Sequence, residues 1–294
     1  MGGIARGGLR PIVLWIAMGL AIEAVALTIH DLDGLGHVFA VICMIFATFL
    51  TNFYRDPDRR VPKESGVVVS PADGRIMFTV RERATGRRPT SQQMDESADR
   101  IESDEMTGDW WPTPCENPVD FTTEQRWEAV RAGEEADTDA LRVAIFMSPF
   151  DVHVNRAPIA STIERMEHRC GKGRRRGPFL PAYVKESAWN ERVRTVLHST
   201  GENGSVSGMA IEVTQISGRL ARTIDPWTSV GDELRRGQRY GMIRLGSRVD
   251  VRVPAATHNC AVIGADAENS AYPKGESVVA GSSVLFNYNA DESE

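Results

Sequence analysis

Residues 240–254 read YGMIRLGSRVDVRVP, a short run rich in valine and isoleucine, broken by glycine and closed by proline. Runs of this length and composition favour strand over helix, because β-branched side chains pack well on a pleated surface and crowd a helical turn. Four more share the texture: GVVVSPADGRIMFTV (66–80), ALRVAIFMSPFDVHV (140–154), MAIEVTQISG (209–218) and SVVAGSSVLFNY (277–288). The expectation is a mainly β fold, a sandwich or barrel-like core built of hairpins.

Upstream of this region the texture is different. PIVLWIAMGLAIEAVALTI (11–29) and LGHVFAVICMIFATFLTNF (35–53) are apolar runs joined by HDLDG. Each is close to the roughly 20 residues that cross a bilayer as a helix. Arg6 and Arg10 precede the first run, and Arg55, Arg59, Arg60 and Lys63 follow the second. The positive-inside bias then puts both ends, and everything after them, on the cytoplasmic side of a cell membrane. The competing readings are a signal peptide ending near Ala26 and an interface-lying pair, since Glu23 is costly in lipid unless paired, protonated or turned to the partner helix. The expected organisation is a membrane anchor over 1–62 and a β domain over 63–294, the latter interrupted by an insertion at about 81–140.

That insertion dominates the charge. The chain carries 34 basic and 40 acidic side chains, a net of -6, but 95–140 alone holds 15 acidic and 3 basic, or -12, leaving +6 elsewhere. A basic body beside a membrane suits an anionic lipid, although soluble domains carry such excesses too. The insertion has no sustained apolar period, one short helix is expected near FTTEQRWEAVRAG (121–133), and Trp110-Trp111 reads either as a lipid-touching tip or as local packing. The loop Lys172-Gly173-Arg174-Arg175-Arg176 reads as a solvated loop or a headgroup-docking patch. Four dispersed cysteines form no CxxC pair and six histidines no HxH or HxxxH spacing, so no metal is expected, and no nucleic-acid motif is present.

A weak internal echo bears on the fold. VGDELRRGQRYGMI (230–243) and YPKGESVVAGSSVLF (272–286) both run glycine, polar residue, apolar pair, glycine, apolar strand. They resemble the β-turn-β units of lipoyl and biotinyl carrier domains, yet lack a carrier's modifiable lysine. One reading of the chain is therefore a non-catalytic, membrane-tethered carrier-like module.

Three segments hold the polar groups that could carry chemistry: SPADG (70–74), FMSPFDVHVNRAPI (146–159) and IRLGSRVDVRVP (243–254). In this order, and after FYRDPDRRVP (53–62), they resemble the phosphatidylserine decarboxylase family, above all its short bacterial and archaeal branch. The resemblance runs from about residue 53 to the C-terminus, excepting the insertion. It implies a proenzyme that cuts itself between Gly246 and Ser247 into a β chain (1–246) and an α chain (247–294) that stay associated. It also implies that Ser247 becomes a pyruvoyl group, the only cofactor, with neither metal nor pyridoxal phosphate. The substrate amine forms a Schiff base with that group, carbon dioxide leaves, and phosphatidylserine becomes phosphatidylethanolamine. A diacyl lipid and an archaeal ether analogue are both open as substrate, and homo-oligomers are compatible with it.

Glycine before the serine leaves the attacked carbonyl unhindered and the turn free to strain. Gly281-Ser282 is a second such pair, but only Gly246-Ser247 follows a strand of the GMIRLG type. A hydroxyl needs a base, and His153 is the one histidine in a resembling motif; it reads as that base or as a core histidine satisfied by backbone. Asp73 reads as the group that orients His153, completing an Asp-His-Ser relay, or as the residue closing the turn before Gly74. In the family's long branch a second histidine stands three residues after the first; here that position is Arg156. Arg156 and Arg248 read as holders of the substrate carboxylate or phosphate, or as partners in ordinary ion pairs. A serine hydrolase using an intact Ser247 is the remaining alternative.

Overall fold

The computed structural model describes residues 2–29, 33–83, 101–103, 110–112, 139–169, 181–183, 187, 190–207, 209–219, 223–244, 246–254, 257–262 and 275–288. Two units emerge: residues 1–58 with 149–154, and residues 59–148 with 155–294.

In the first unit α1 (Leu9–Ala26) and α2 (Asp33–Phe53) form the expected hairpin, each starting two residues earlier than the sequence suggests. Both are long and apolar enough to cross a membrane. Small residues let the helices approach: a Cβ on Gly19 would lie 3.1 Å from Cys43 Cβ, and one on Gly36 only 2.4 Å from Ala26 Cβ. Glu23, the residue that lipid would penalise, is answered by its neighbour, its Oε2 lying 2.9 Å from His37 Nδ1. Leu14, Leu20 and Ile45 stay exposed on the outer surface. Two short strands, β1 (Gly3–Ile4) and β2 (Arg55–Asp56), pair antiparallel and tie the ends of the hairpin together.

Among the described residues, the second unit is built of strands. Its elements are β3 (Val67–Val69), β4 (Gly74–Arg83), β5 (Ile101–Ser103), β6 (Trp110–Pro112), β7 (Asp139–Met147), β8 (Val154–Arg156, the first residue falling in the other unit) and β9 (Ser161–Arg169). There follow β10 (Arg192–Ser199), β11 (Ala210–Ile216), β12 (Ile224–Pro226), β13 (Glu233–Leu234), β14 (Arg239–Ile243) and β15 (Ser247–Pro254). The last are β16 (His258–Cys260), β17 (Ser277–Val278) and β18 (Val284–Tyr288). Eight of them build one antiparallel sheet in the order β13-β9-β10-β11-β15-β7-β4-β17, accompanied by three-stranded sheets β12-β14-β8 and β16-β18-β3.

The echo in the sequence is a repeat in the structure. In each copy a two-residue strand, β13 or β17, closes one edge of the large sheet, and a left-handed glycine, Gly237 (φ +78°) or Gly281 (φ +72°), turns the chain into a strand of a three-stranded sheet. The two turns touch, for a Cβ on Gly281 would come within 3.5 Å of Gly237 Cα. Short edge strands of this kind leave little ladder for another chain to pair with.

Strand alternation sorts the large sheet's faces. One carries Val143, Ile145, Met147, Val213, Val249, Val251 and Val253, all buried in the main core. The other is ionic: Arg194 and Arg252 share Glu212 at 2.6 and 2.8 Å, and Arg142 lies 3.5 Å from Asp250. The tryptophan pair opens β6, hydrogen-bonded to β5, where a loop was expected. The rest of the insertion, including the helix expected near 121–133, and the basic loop 172–176 lie outside the described residues.

At Gly74 the backbone has φ +150° and an added Cβ would stand 2.1 Å from the Phe146 carbonyl oxygen. Replacing Gly74→Ala should therefore cost about 3 kcal/mol or more in chemical denaturation, or prevent folding altogether.

Candidate active site

Ser247 opens β15, the strand between β11 and β7, and pairs with Met147. It is fully buried on the apolar face, where its Oγ donates to Met147 Sδ at 3.3 Å, a weak acceptor that leaves the hydroxyl barely stabilised. Gly246 before it takes φ +64°. No described residue would obstruct a Cβ there, and it is the left-handed backbone that calls for glycine. Gly281-Ser282 is set differently. Ser282 and Ser283 donate their amides to the Val279 carbonyl, and Gly281 donates to Ser70 O, so that pair is locked into a turn joining β17 to β18.

The SPADG segment is built around that turn. Asp73 Oδ1 accepts from the Ala280 amide at 2.8 Å and Oδ2 from Arg59 Nη2 at 2.6 Å, while Ser70 Oγ donates to Ala72 O at 2.6 Å. Arg156 is buried beside it and donates to the Gly237 carbonyl at 3.0 Å, bracing the two glycine turns. Arg248 is fully buried on the face opposite Ser247. Its Nε and Nη2 each reach an Asp250 oxygen at 2.6 Å, and its guanidinium lies 5.0 Å from the Phe78 ring centre. For Arg248 the ion-pair reading is the arrangement the structure contains.

His153 belongs to the first unit. Its ring lies 4.3 Å from that of Phe53, and Nδ1 is 2.9 Å from the Asp151 carbonyl oxygen. A carbonyl can only accept, so Nδ1 carries the proton and Nε2 the lone pair. The tautomer that the sequence assigns Asp73 to fix is thus set locally, by main chain two residues away. Nε2 is buried and has no partner among the described residues. Burial lowers the imidazole pKa to about 4, with the Asp151 carbonyl and carboxylate opposing. His153 is therefore a neutral ring with an available acceptor nitrogen across the whole physiological range.

Three contributors escape a reading by motif: Met147 beneath Ser247, and the carboxamides of Asn155 and Gln215, joined at 2.8 Å. Met147 and Asn155 lie inside the FMSPFDVHVNRAPI motif but carry no acid-base chemistry, and Gln215 is sixty residues beyond Asn155. The only signal available was strand alternation, which places Gln215 on the apolar face. As for a ketone made from Ser247, the residues fit it: a serine on a dry strand end, preceded by a left-handed glycine, with no charged group on its own face among the described neighbours.

A family model described as phosphatidylserine decarboxylase matches residues 46–285. Curated relatives are similar along most of their length, each named a phosphatidylserine decarboxylase proenzyme. One from Symbiobacterium thermophilum is 35% identical over 94% of this chain and 95% of its own. Another from Ralstonia nicotianae is 32% identical over 89% of each, and one from Anaplasma phagocytophilum 34% identical over 76% of this chain and 70% of its own. The match takes in all three polar segments and the glycine–serine bond at the head of the central strand, and on that footing the chain belongs to the phosphatidylserine decarboxylase family.

Proposed function

We propose that this protein cuts its own chain between Gly246 and Ser247 and then decarboxylates phosphatidylserine to phosphatidylethanolamine at the new chain end. The observation that carries the reading is the buried Ser247, behind a left-handed Gly246, at the head of the central strand of a chain whose relatives are named proenzymes.

In the cut, Ser247 Oγ attacks the Gly246 carbonyl carbon while His153 Nε2 takes the hydroxyl proton. The Gly246–Ser247 C–N bond breaks, the amine is protonated, and Gly246 becomes an ester on Oγ. Removal of the Ser247 α-proton expels the Gly246 carboxylate and leaves dehydroalanine, whose imine tautomer adds water and loses ammonia. A neutral His153 suits both proton removals, because it accepts without first shedding a proton. Asp73 serves by holding the SPADG turn through the Ala280 amide and Arg59. The pyruvoyl ketone so made supplies an electrophile for the substrate amine and a sink for the electron pair that carbon dioxide leaves behind. The valines and methionine around the strand head make its surroundings apolar, which favours a step in which a carboxylate loses its charge. The helical hairpin holds the enzyme in the bilayer that carries its substrate, with the β domain on the cytoplasmic side.

Intact-mass analysis of purified protein should show two chains, the smaller being residues 247–294 and lighter than a serine start by the elements of ammonia. Ser247→Ala should remain a single chain without decarboxylase activity; a variant that still splits at residue 246 would overturn the reading. The His153→Ala proenzyme should cut at least about a hundredfold more slowly. Because a base works only unprotonated, and the pKa of His153 lies at about 4 rather than 6.5, the wild-type cutting rate should stay level from pH 7 to about 5 and decline toward 4. A half-maximal rate near pH 6.5 would assign the base elsewhere. The cut protein should elute as one particle and separate only on denaturation, since β15 keeps ladders to β11 and β7.

A further inference from the structure

Three buried side chains, those of Met147, Asn155 and Gln215, form a chain of polar contacts leading from Ser247. Ser247 Oγ meets Met147 Sδ at 3.3 Å, Met147 Sδ lies 3.9 Å from Asn155 Nδ2, and Asn155 Oδ1 accepts from Gln215 Nε2 at 2.8 Å. The amide orientations follow from one anchor. Asn155 Nδ2 lies 3.3 Å from the Pro71 carbonyl, which can only accept, so Nδ2 must face it. Oδ1 then faces Gln215, whose nitrogen must be the donor. Gln215 is left presenting a buried carboxamide oxygen that has no partner among the described residues.

A second unmet group stands beside it. The ladder between β11 and β15 ends at Ile216↔Arg248, and continuing its register by one residue would set Ser217 across from Ser247. The main chain of Ser217 is satisfied, its N–H by Glu191 O and its carbonyl by Asn190 Nδ2, yet its fully buried Oγ has no partner among the described residues. A buried acceptor or hydroxyl left unmet costs about 1–3 kcal/mol, so two of them beside the reactive residue ask for a ligand. That ligand must bring an N–H for Gln215 and a group that hydrogen-bonds a hydroxyl.

Resting on the function proposed above, we infer that Gln215 Oε1 accepts a hydrogen bond from the substrate's amine and that Ser217 Oγ donates one to its carboxylate. Asn155 is the positioning residue that keeps the Gln215 oxygen turned to the amine. The two arginines that the sequence offers for the carboxylate are engaged by Gly237 and Asp250. A neutral hydroxyl also suits the chemistry better than a guanidinium. A cation would stabilise the carboxylate before it leaves and raise the barrier to losing it, whereas a hydroxyl positions it with little ground-state stabilisation.

The substrate and product lipids share the amine and differ in the carboxylate, so they separate the two roles. Gln215→Met and Ser217→Ala are assayed as full-length protein in vesicles of phosphatidylserine and phosphatidylcholine, with phosphatidylethanolamine as product inhibitor. Both variants should cut completely and give a chain end that reacts with a hydrazine as wild type does. Gln215→Met should raise the KM for phosphatidylserine and the inhibition constant for phosphatidylethanolamine together, by about tenfold. Ser217→Ala should raise KM by a similar factor and leave the inhibition constant unchanged. Fully cut variants with both constants within twofold of wild type would overturn the inference, as would Ser217→Ala weakening substrate and product equally. Should Gln215→Met fail to fold or cut, Ser217→Ala, the loss of one oxygen, decides alone. A wild-type protein that fails to cut or to decarboxylate refutes the functional reading itself, which is a different result.

Discussion

The antiparallel ladder on both sides of β15 is the interaction on which the rest of the β unit depends. Through Glu212↔Arg252 to Ile216↔Arg248 on one flank and Ser247↔Met147 to Pro254↔Ala140 on the other, it places the strand that starts at Ser247 in the interior of an eight-stranded sheet. Strand alternation then forces the next consequence. Ser247, Val249, Val251 and Val253 point into the apolar core, and Arg248, Asp250 and Arg252 point to the other face.

That division of faces explains why a strand dense in charge can run through the middle of a core. Asp250 takes Arg248 in a two-pronged pair with Arg142 near it, and Glu212 takes Arg194 and Arg252, so each of these charges has an opposite charge beside it, and Phe78 lies against Arg142 and Arg248. The face bearing Ser247 is left to apolar side chains and neutral amides and hydroxyls. The proposed chemistry, which begins with an uncharged hydroxyl and ends with loss of a carboxylate, suits this separation, because the guanidinium groups of the strand face away from it.

Much of this was legible in the sequence because it is local. Valine-rich runs gave strands, the repeated glycine spacing gave two matching turns, and the apolar runs gave a helical hairpin to within three residues at each end. What was not legible is what depends on partners far along the chain. That β15 is central, that Arg248 faces away from its neighbour Ser247, and that Asn155 meets Gln215 all follow from pairing between segments 60 to 100 residues apart. The group that meets His153 Nδ1 was hidden for the opposite reason. It is a backbone carbonyl two residues away, and carbonyls are the same at every position, so no side-chain pattern could announce it. Asp73 itself is drawn to the Ala280 amide, 207 residues distant.

The ends of a polypeptide are normally its loosest parts, free to fray because nothing beyond them holds them down. A terminus created at Ser247 would be of another kind, since both neighbours of its strand were in place before it existed. Such an end has no freedom left to lose when a lipid arrives, and the entropy of fixing the reactive group was spent during folding, once, rather than at every turnover.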